Sequence, residues 1–125
     1  MRVLVFGAGA IGTYIGGSLA LAGNEVVFLE RPTTATLLRE RGLSLEIDGR
    51  TLAVPQLTIF DSPLQALSSA SYDVSILAIK SYDTQAFLES LLPYAAQIPP
   101  VLCLQNGVEN EPSIAAALGE ARVIA

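Results

Sequence analysis

VLVFGAGAIG, residues 3 to 12, decides the fold of this chain, because an apolar run passes through three spaced glycines into a second uncharged segment. The run predicts a short buried strand, and G-x-G-x-x-G directly after a strand is typical of a dinucleotide-binding turn that opens a helix. Gly7 would allow the tight turn, Gly9 the close approach of a pyrophosphate, and Gly12 the packing of the helix on the strand. The phosphates would bind at the helix N-terminus, where backbone N–H groups lack intrahelical partners.

An alternative interpretation of the same segment is a membrane or export helix, because residues 3 to 24 contain no charged side chain. Six glycines fall in that stretch, and each weakens an isolated helix by about 1 kcal/mol. Gly12, Gly16 and Ala20 form a row of small residues at helical spacing, which would let a helix lie close against a sheet. We therefore predict a buried strand and helix, and no membrane association.

Composition favours one globular domain that binds a small molecule. The chain has 125 residues, 51% of them hydrophobic, and a net charge of -5 with scattered cations, which argues against a nucleic-acid partner. Cys103 is the only cysteine and lies in a strand-like segment, so we expect a buried thiol and neither a disulfide nor a cysteine metal site. Histidine is absent, which excludes a histidine general acid and a histidine-ligated metal. No metal is expected, and we predict a cytoplasmic protein.

Strand and helix signals alternate along the chain, which predicts an α/β fold: a Rossmann-like, doubly wound, mostly parallel sheet. We predict strands at 2–6, 25–29, 74–79, 101–104 and 121–125, and helices at 10–22, 33–41, 83–92 and 110–118. Thr33 or Thr34 would cap the second helix, and Gly42 would end it. The alternating segments 43–47 and 50–54 flank Asp48-Gly49 and predict an inserted hairpin.

Ligands of such sheets bind beyond the carboxyl ends of the strands, where Glu30, Arg31, Lys80 and Asn106 follow predicted strands. An acid after the second strand accepts the ribose hydroxyls of NAD, whereas an arginine there pairs with the 2′-phosphate of NADP. Glu30-Arg31 offers both, and the absence of a second acid directly after them favours NADP. Lys80, the only lysine, is either a solvated strand end or a ligand contact. Asn106-Gly107 is either a simple turn or an amide that contacts the nicotinamide ribose or a substrate oxygen.

Five segments together resemble the N-terminal half of the ketopantoate reductases, also called 2-dehydropantoate 2-reductases. They are GAGAIG, Arg31 in FLER, LLRERGLSL at 37–45, LAIKSYDT at 77–84 and LQNGVENE at 104–111. The resemblance implies NADP(H) as the cofactor, and Asn106 also near the substrate. The cofactor contacts that it implies are Gly7, Ala8, Gly9, Ala10, Ile11, Gly12, Arg31, Lys80 and Asn106.

That family transfers a hydride from NADPH to the ketone of 2-dehydropantoate, a 2-keto acid, and a lysine of a C-terminal helical domain donates the proton. The resemblance therefore implies that residues 1–125 form the dinucleotide-binding domain and hold no catalytic residue, and that the helical substrate domain is absent from this chain. Glu30 departs from the family, in which an uncharged residue is more common. An isolated cofactor domain would expose apolar surface, so we expect self-association. A homodimer is one form that this association could take.

The alternative function is a stand-alone NAD(H)-sensing regulatory module, which would bind NAD through Glu30 and would end naturally at residue 125. The segments that contain Lys80 and Asn106 favour the reductase, because a sensor has no evident need for those side chains at the nicotinamide end.

Overall fold

The computed structural model describes residues 1–54, 56–79, 84–103, 115–116, 119 and 123–124. The strands and helices, in chain order, are β1 (Arg2–Phe6), α1 (Ala10–Leu21), β2 (Glu25–Leu29), α2 (Pro32–Arg41), β3 (Ser44–Ile47), β4 (Arg50–Ala53), β5 (Thr58–Phe60), α3 (Pro63–Ser69), β6 (Val74–Leu77), α4 (Thr84–Leu91), a 3₁₀ helix (Leu92–Gln97), β7 (Val101–Cys103) and β8 (Val123–Ile124).

The main sheet has six strands in the order β5-β2-β1-β6-β7-β8, and all its described pairings are parallel. Successive strands are added on one side of β1 as far as β5 and then on its other side from β6 onward. The order in which strands are added to the sheet therefore reverses at β1, on whose other side β6 lies. This reversal confirms the predicted doubly wound α/β fold. That reversal also marks the place where such sheets bind ligands.

β3 and β4 form the predicted hairpin as a separate antiparallel pair. Its two turn residues, Asp48 and Gly49, have φ angles of 51° and 76°. Positive φ at both positions is the signature of a type I′ turn, whose twist matches that of the flanking strands.

Alternate residues of the central strands build a core on each face of the sheet. Leu4 and Phe6 of β1 pack with residues of α3 and α4 on one face, whereas Val3 and Val5 pack with α1, α2 and β3 on the other. The small-residue face of α1 does lie close to the sheet. A Cβ added at Gly16 would be 2.8 Å from the Phe28 ring.

Several predicted boundaries are wrong. The strand predicted at 74–79 ends at Leu77, and neither Thr33 nor Thr34 caps α2, because Arg31 is its N-cap and Pro32 is in its first turn. Proline fixes φ at a helical value and has no N–H that needs a partner, so it sets the start of α2 by itself. The termination at Gly42 is confirmed, with φ of 74°.

Further along the chain, α4 ends at Leu91 and a 3₁₀ helix follows, because Pro93 cannot donate the next helical hydrogen bond. β5, α3 and this 3₁₀ helix were not predicted. Of the helix predicted at 110–118 only Ala115 and Ala116 are described, and both are helical. Cys103 is a free thiol but only half-buried, so the prediction of a buried thiol is wrong.

Within the described ranges, no helix has the length and apolar character needed to cross a membrane.

Candidate cofactor site

A cavity of about 520 Å³ opens at the carboxyl ends of β1, β2 and β6. This volume lies in the range of about 300 to 1,000 Å³ that is usual for small-molecule sites. Residues from the glycine turn, from the ends of β2, β5 and β6, and from α2, α3 and α4 line it: Gly7, Gly9, Leu29, Glu30, Arg31, Pro32, Asp61, Pro63, Ala78, Ile79, Ala86, Phe87 and Ser90. The cavity therefore lies where the sheet topology predicts a ligand.

The glycine turn has the geometry that its spacing predicts. Gly7 has φ of 97°, and a Cβ there would lie 2.7 Å from Cγ2 of Ile79. A Cβ on Gly12 would overlap the carbonyl oxygen of Gly7 and would lie 3.2 Å from Cβ of Ala78. No side chain fits at either position, because the first turn of α1 lies directly against β1 and the end of β6.

Gly9 differs from these two glycines, because an added Cβ would have no heavy atom within 4 Å. It is the N-cap of α1 and lines the cavity, and no side chain caps this helix end, which lies wholly within the described residues. Open space beside uncapped backbone N–H groups fits the size and charge of a pyrophosphate. Ala10 and Ile11, the next two predicted contacts, are exposed at the same end of α1.

Glu30 turns its carboxylate toward the glycine turn. Its Oε1 accepts a hydrogen bond from the Ala8 backbone N–H at 2.5 Å, and its Oε2 accepts one from the Arg31 N–H at 3.0 Å. Its own backbone N–H donates to the carbonyl of Phe60 at 3.0 Å. Glu30 thus connects the turn after β1 with the ends of β2 and β5, a role that its position in the sequence did not reveal.

Arg31 extends its side chain from the start of α2 and is exposed, while the residue lines the cavity. In the described part of the chain its guanidinium forms no ion pair and no hydrogen bond. A guanidinium carries five N–H donors in a planar fork that suits carboxylate or phosphate oxygens. Arg31 is therefore available to an anionic ligand.

Asp61 directly follows β5 and is a third charged residue on the cavity wall. Its Oδ2 lies 3.7 Å from Nη1 of Arg39, and Nη2 of Arg39 donates to the Ile59 carbonyl at 3.1 Å. Asp61 was not among the predicted site residues. Predicting β5 would have placed this acid at a strand end, but three strand residues are too few to show an alternating pattern.

α4 supplies an apolar wall on the other side of the cavity, through Ala86 and Phe87. The Phe87 ring packs edge-on against Phe6, with ring centroids 5.0 Å apart and planes at 61°. This contact holds the wall against the last residue of β1.

Lys80 and Asn106 lie outside the described residues, so their assignment as ligand contacts stays a prediction. Ile79, the residue before Lys80, lines the cavity. The described residues include no group of three or more acids or cysteines that could hold a metal ion.

The family model described as ketopantoate reductase PanE/ApbA matches residues 3–125. An uncharacterized oxidoreductase of Bacillus subtilis is 32% identical over 99% of this chain and 39% of its own length. A 2-dehydropantoate 2-reductase of Pyrococcus horikoshii is 34% identical over 91% of this chain and 36% of its own length. The chain thus spans less than two-fifths of each of these relatives.

Solved structures agree with this result. A PanE/ApbA family ketopantoate reductase from Ralstonia eutropha superposes with a TM-score of 0.79 and 34% identity, over 95% of this chain and 39% of its own. D-mandelate dehydrogenase, solved with NADH and anilino(oxo)acetate, superposes with a TM-score of 0.82 and 25% identity, over 98% of this chain and 39% of its own. The family match covers nearly the whole sequence, and the resemblance seen in its motifs is confirmed: the chain belongs to the ketopantoate reductase family.

Proposed function

We propose that residues 1–125 are the NADPH-binding domain of an oxidoreductase that reduces the ketone of a small 2-keto acid, with 2-dehydropantoate as the substrate and pantoate, a pantothenate precursor, as the product. One observation supports the choice of NADPH over NADH. Three charged residues are among those lining the cavity, and only Arg31 has no partner for its charge in the described chain.

The two acids are already engaged. The Glu30 carboxylate accepts two backbone N–H groups, and Asp61 lies beside Arg39. The charge left unpaired on the wall is therefore positive, and it is at the end of β2, where the adenosine ribose lies in folds of this type. A 2′-phosphate on that ribose gives the Arg31 guanidinium the anionic partner that it lacks.

The remaining roles follow the geometry of the turn. Gly9 and the N-terminus of α1 hold the pyrophosphate, while Gly7 and Gly12 keep the turn tight enough to form that cradle. When bound, the nicotinamide supplies the hydride that reduces the ketone carbon. Lys80 and Asn106 are proposed to contact the nicotinamide end, and Asn106 also the substrate.

The proton that completes the reduction is assigned to a lysine of a helical substrate domain outside residues 1–125, as the family resemblance implies. In this proposal the chain binds cofactor but holds no catalytic residue. The regulatory alternative gains no support from the relatives described above, which are named as oxidoreductases. The cytoplasmic location remains a prediction.

The test is calorimetric titration of the chain with NADPH and with NADH, at low and moderate salt. We expect NADPH to bind about tenfold or more tightly, because a hydrogen bond to a charged group contributes about 1.5 to 3 kcal/mol. Arg31→Gln should reduce this preference to about one, mostly by weakening NADPH. Arg41→Gln is the matched control, since it removes the same charge from the opposite end of α2.

Equal or tighter binding of NADH by the unaltered chain would contradict the choice of cofactor. A similar loss of NADPH affinity in both variants would show that only overall charge matters, because Arg41 does not line the cavity.

A further inference from the structure

We propose that Asp61 selects the base of the cofactor, by accepting a hydrogen bond from the exocyclic amino group of adenine. This inference rests on the proposed binding of a nicotinamide dinucleotide in the cavity. It assigns a specificity role to a side chain that the family motifs did not mark.

The order of the strands places the base near Asp61. A dinucleotide lies across the carboxyl edge of the sheet, with its pyrophosphate at the turn after β1 and its adenosine ribose at the end of β2. β5 is the next strand beyond β2, and β6 and β7 lie in the opposite direction. The adenine of a bound dinucleotide, one step beyond its ribose, would therefore lie over the end of β5, which Asp61 directly follows.

The surroundings of Asp61 suit the flat faces of a purine. Pro32 and Pro63, in the first turns of α2 and α3, both line the cavity on this side. Their rings are rigid and apolar, and neither residue has a backbone N–H to offer. These two residues therefore cannot donate a backbone hydrogen bond to the base edge, whereas Asp61, which follows β5 on this wall, has a carboxylate that can accept one.

The ion pair with Arg39 involves only one oxygen of the Asp61 carboxylate, Oδ2. The Asp61 side chain is 32% exposed, and Arg39 approaches its Oδ2 while itself donating to the Ile59 carbonyl. In the described chain no hydrogen bond is donated to Oδ1, so this oxygen is free to accept one. A carboxylate accepts hydrogen bonds only, which matches an amino group and disfavours a carbonyl oxygen.

The experiment compares NADPH with nicotinamide hypoxanthine dinucleotide phosphate, in which a carbonyl oxygen replaces the adenine amino group and the neighbouring ring nitrogen N1 gains a hydrogen. Both titrations use the 125-residue chain. We expect the hypoxanthine cofactor to bind about tenfold or more weakly, because an amino-to-carboxylate hydrogen bond is lost and two oxygens face each other.

Asp61→Asn should bring the two affinities to within about threefold, because its amide can donate to the carbonyl oxygen as well as accept from the amino group. Arg39→Gln is the matched control: it removes the ion pair and keeps the carboxylate, so discrimination between the two bases should persist. Circular dichroism of each variant establishes that it is folded.

Equal affinity for both cofactors in the unaltered chain would overturn the role of Asp61 while leaving the proposed function standing. Discrimination that survives in a folded Asp61→Asn variant would overturn it too. Failure of the unaltered chain to bind NADPH at all would overturn the proposed function, and the base-selecting role with it.

Discussion

Gly9 and Gly12 lie three positions apart in one turn, and the same added methyl group should impair a different property of the protein at each of them. The Gly12→Ala methyl would overlap the Gly7 carbonyl, and two further atoms lie at 3.1 and 3.2 Å. The Gly9→Ala methyl would have no heavy atom within 4 Å and would extend into the space assigned to the pyrophosphate. Gly12→Ala should therefore damage the fold, and Gly9→Ala the binding of cofactor.

The loss in the free energy of unfolding expected for Gly12→Ala depends on the atoms that the added methyl group contacts. Overpacking costs about 1 to 3 kcal/mol where flexible side chains can move, and we take about 3 kcal/mol because the obstructing atom is backbone. Alanine inside a helix returns about 1 kcal/mol relative to glycine. The free energy of unfolding should fall by about 2 kcal/mol or more, as α1 is pushed away from β1.

For Gly9→Ala the backbone imposes little strain, since φ is -74° and ψ is -163°, an extended conformation that alanine adopts readily. Replacing a glycine N-cap by alanine should cost about 1 kcal/mol or less. NADPH affinity should fall by about tenfold or more, because the methyl prevents the close approach that the pyrophosphate requires.

Urea denaturation followed by circular dichroism measures the first quantity, and NADPH titration of the folded chain measures the second. A free energy of unfolding for Gly12→Ala within about 0.5 kcal/mol of that of the unaltered chain, the range of ordinary surface changes, would refute the predicted clash. NADPH affinity of Gly9→Ala equal to that of the unaltered chain would refute the assignment of the pyrophosphate to this space.

Three further substitutions test the cavity charge and the hairpin. Glu30→Gln keeps an acceptor for the Ala8 N–H and removes a negative charge beside the proposed 2′-phosphate, so the preference for NADPH over NADH should rise about two- to fivefold at low salt. An unchanged ratio in parallel titrations would show that the carboxylate does not influence that phosphate. Gly49→Ala places a methyl at φ of 76° and should lower the free energy of unfolding by about 1 kcal/mol, whereas Asp48→Asn should change it by less than about 0.5 kcal/mol. Urea denaturation measures both free energies of unfolding, and an equal decrease in the two variants would show that the turn type is not the cause of the loss.

The sequence contained enough information for the central strands and for the glycine turn, because each depends on local patterns. Residues 3 to 6 form a continuous apolar run that is buried on both faces, and the positions of Gly7 and Gly12 report close backbone contacts. The hairpin turn was equally predictable from Asp48-Gly49. In these segments local propensity and the final fold agree.

β5 and Asp61 could not be predicted for a physical reason. β5 has three residues and one partner, so its existence depends on pairing with β2 rather than on its own pattern. The start of α2 was misplaced for a different reason, since hydroxyl residues suggested a cap where Pro32 determines the first turn. Lys80 and Asn106 lie outside the described residues, so they remain predictions from sequence.

The position of a residue in the sequence is not sufficient to predict whether this site binds NAD or NADP. Glu30 and Arg31 are adjacent and both follow β2, so the sequence places an acid and a base at one point of the sheet. The structure separates them by their partners: the turn N–H of Ala8 and the N–H of Arg31 engage the acid, while the guanidinium has none in the described chain. In the proposed complex an incoming ribose hydroxyl would share a carboxylate that already accepts two hydrogen bonds, whereas a 2′-phosphate would meet a guanidinium with unused donors. The proposal of NADPH thus depends on the hydrogen bonds already made within the protein, and not on the identity of the residue after the strand.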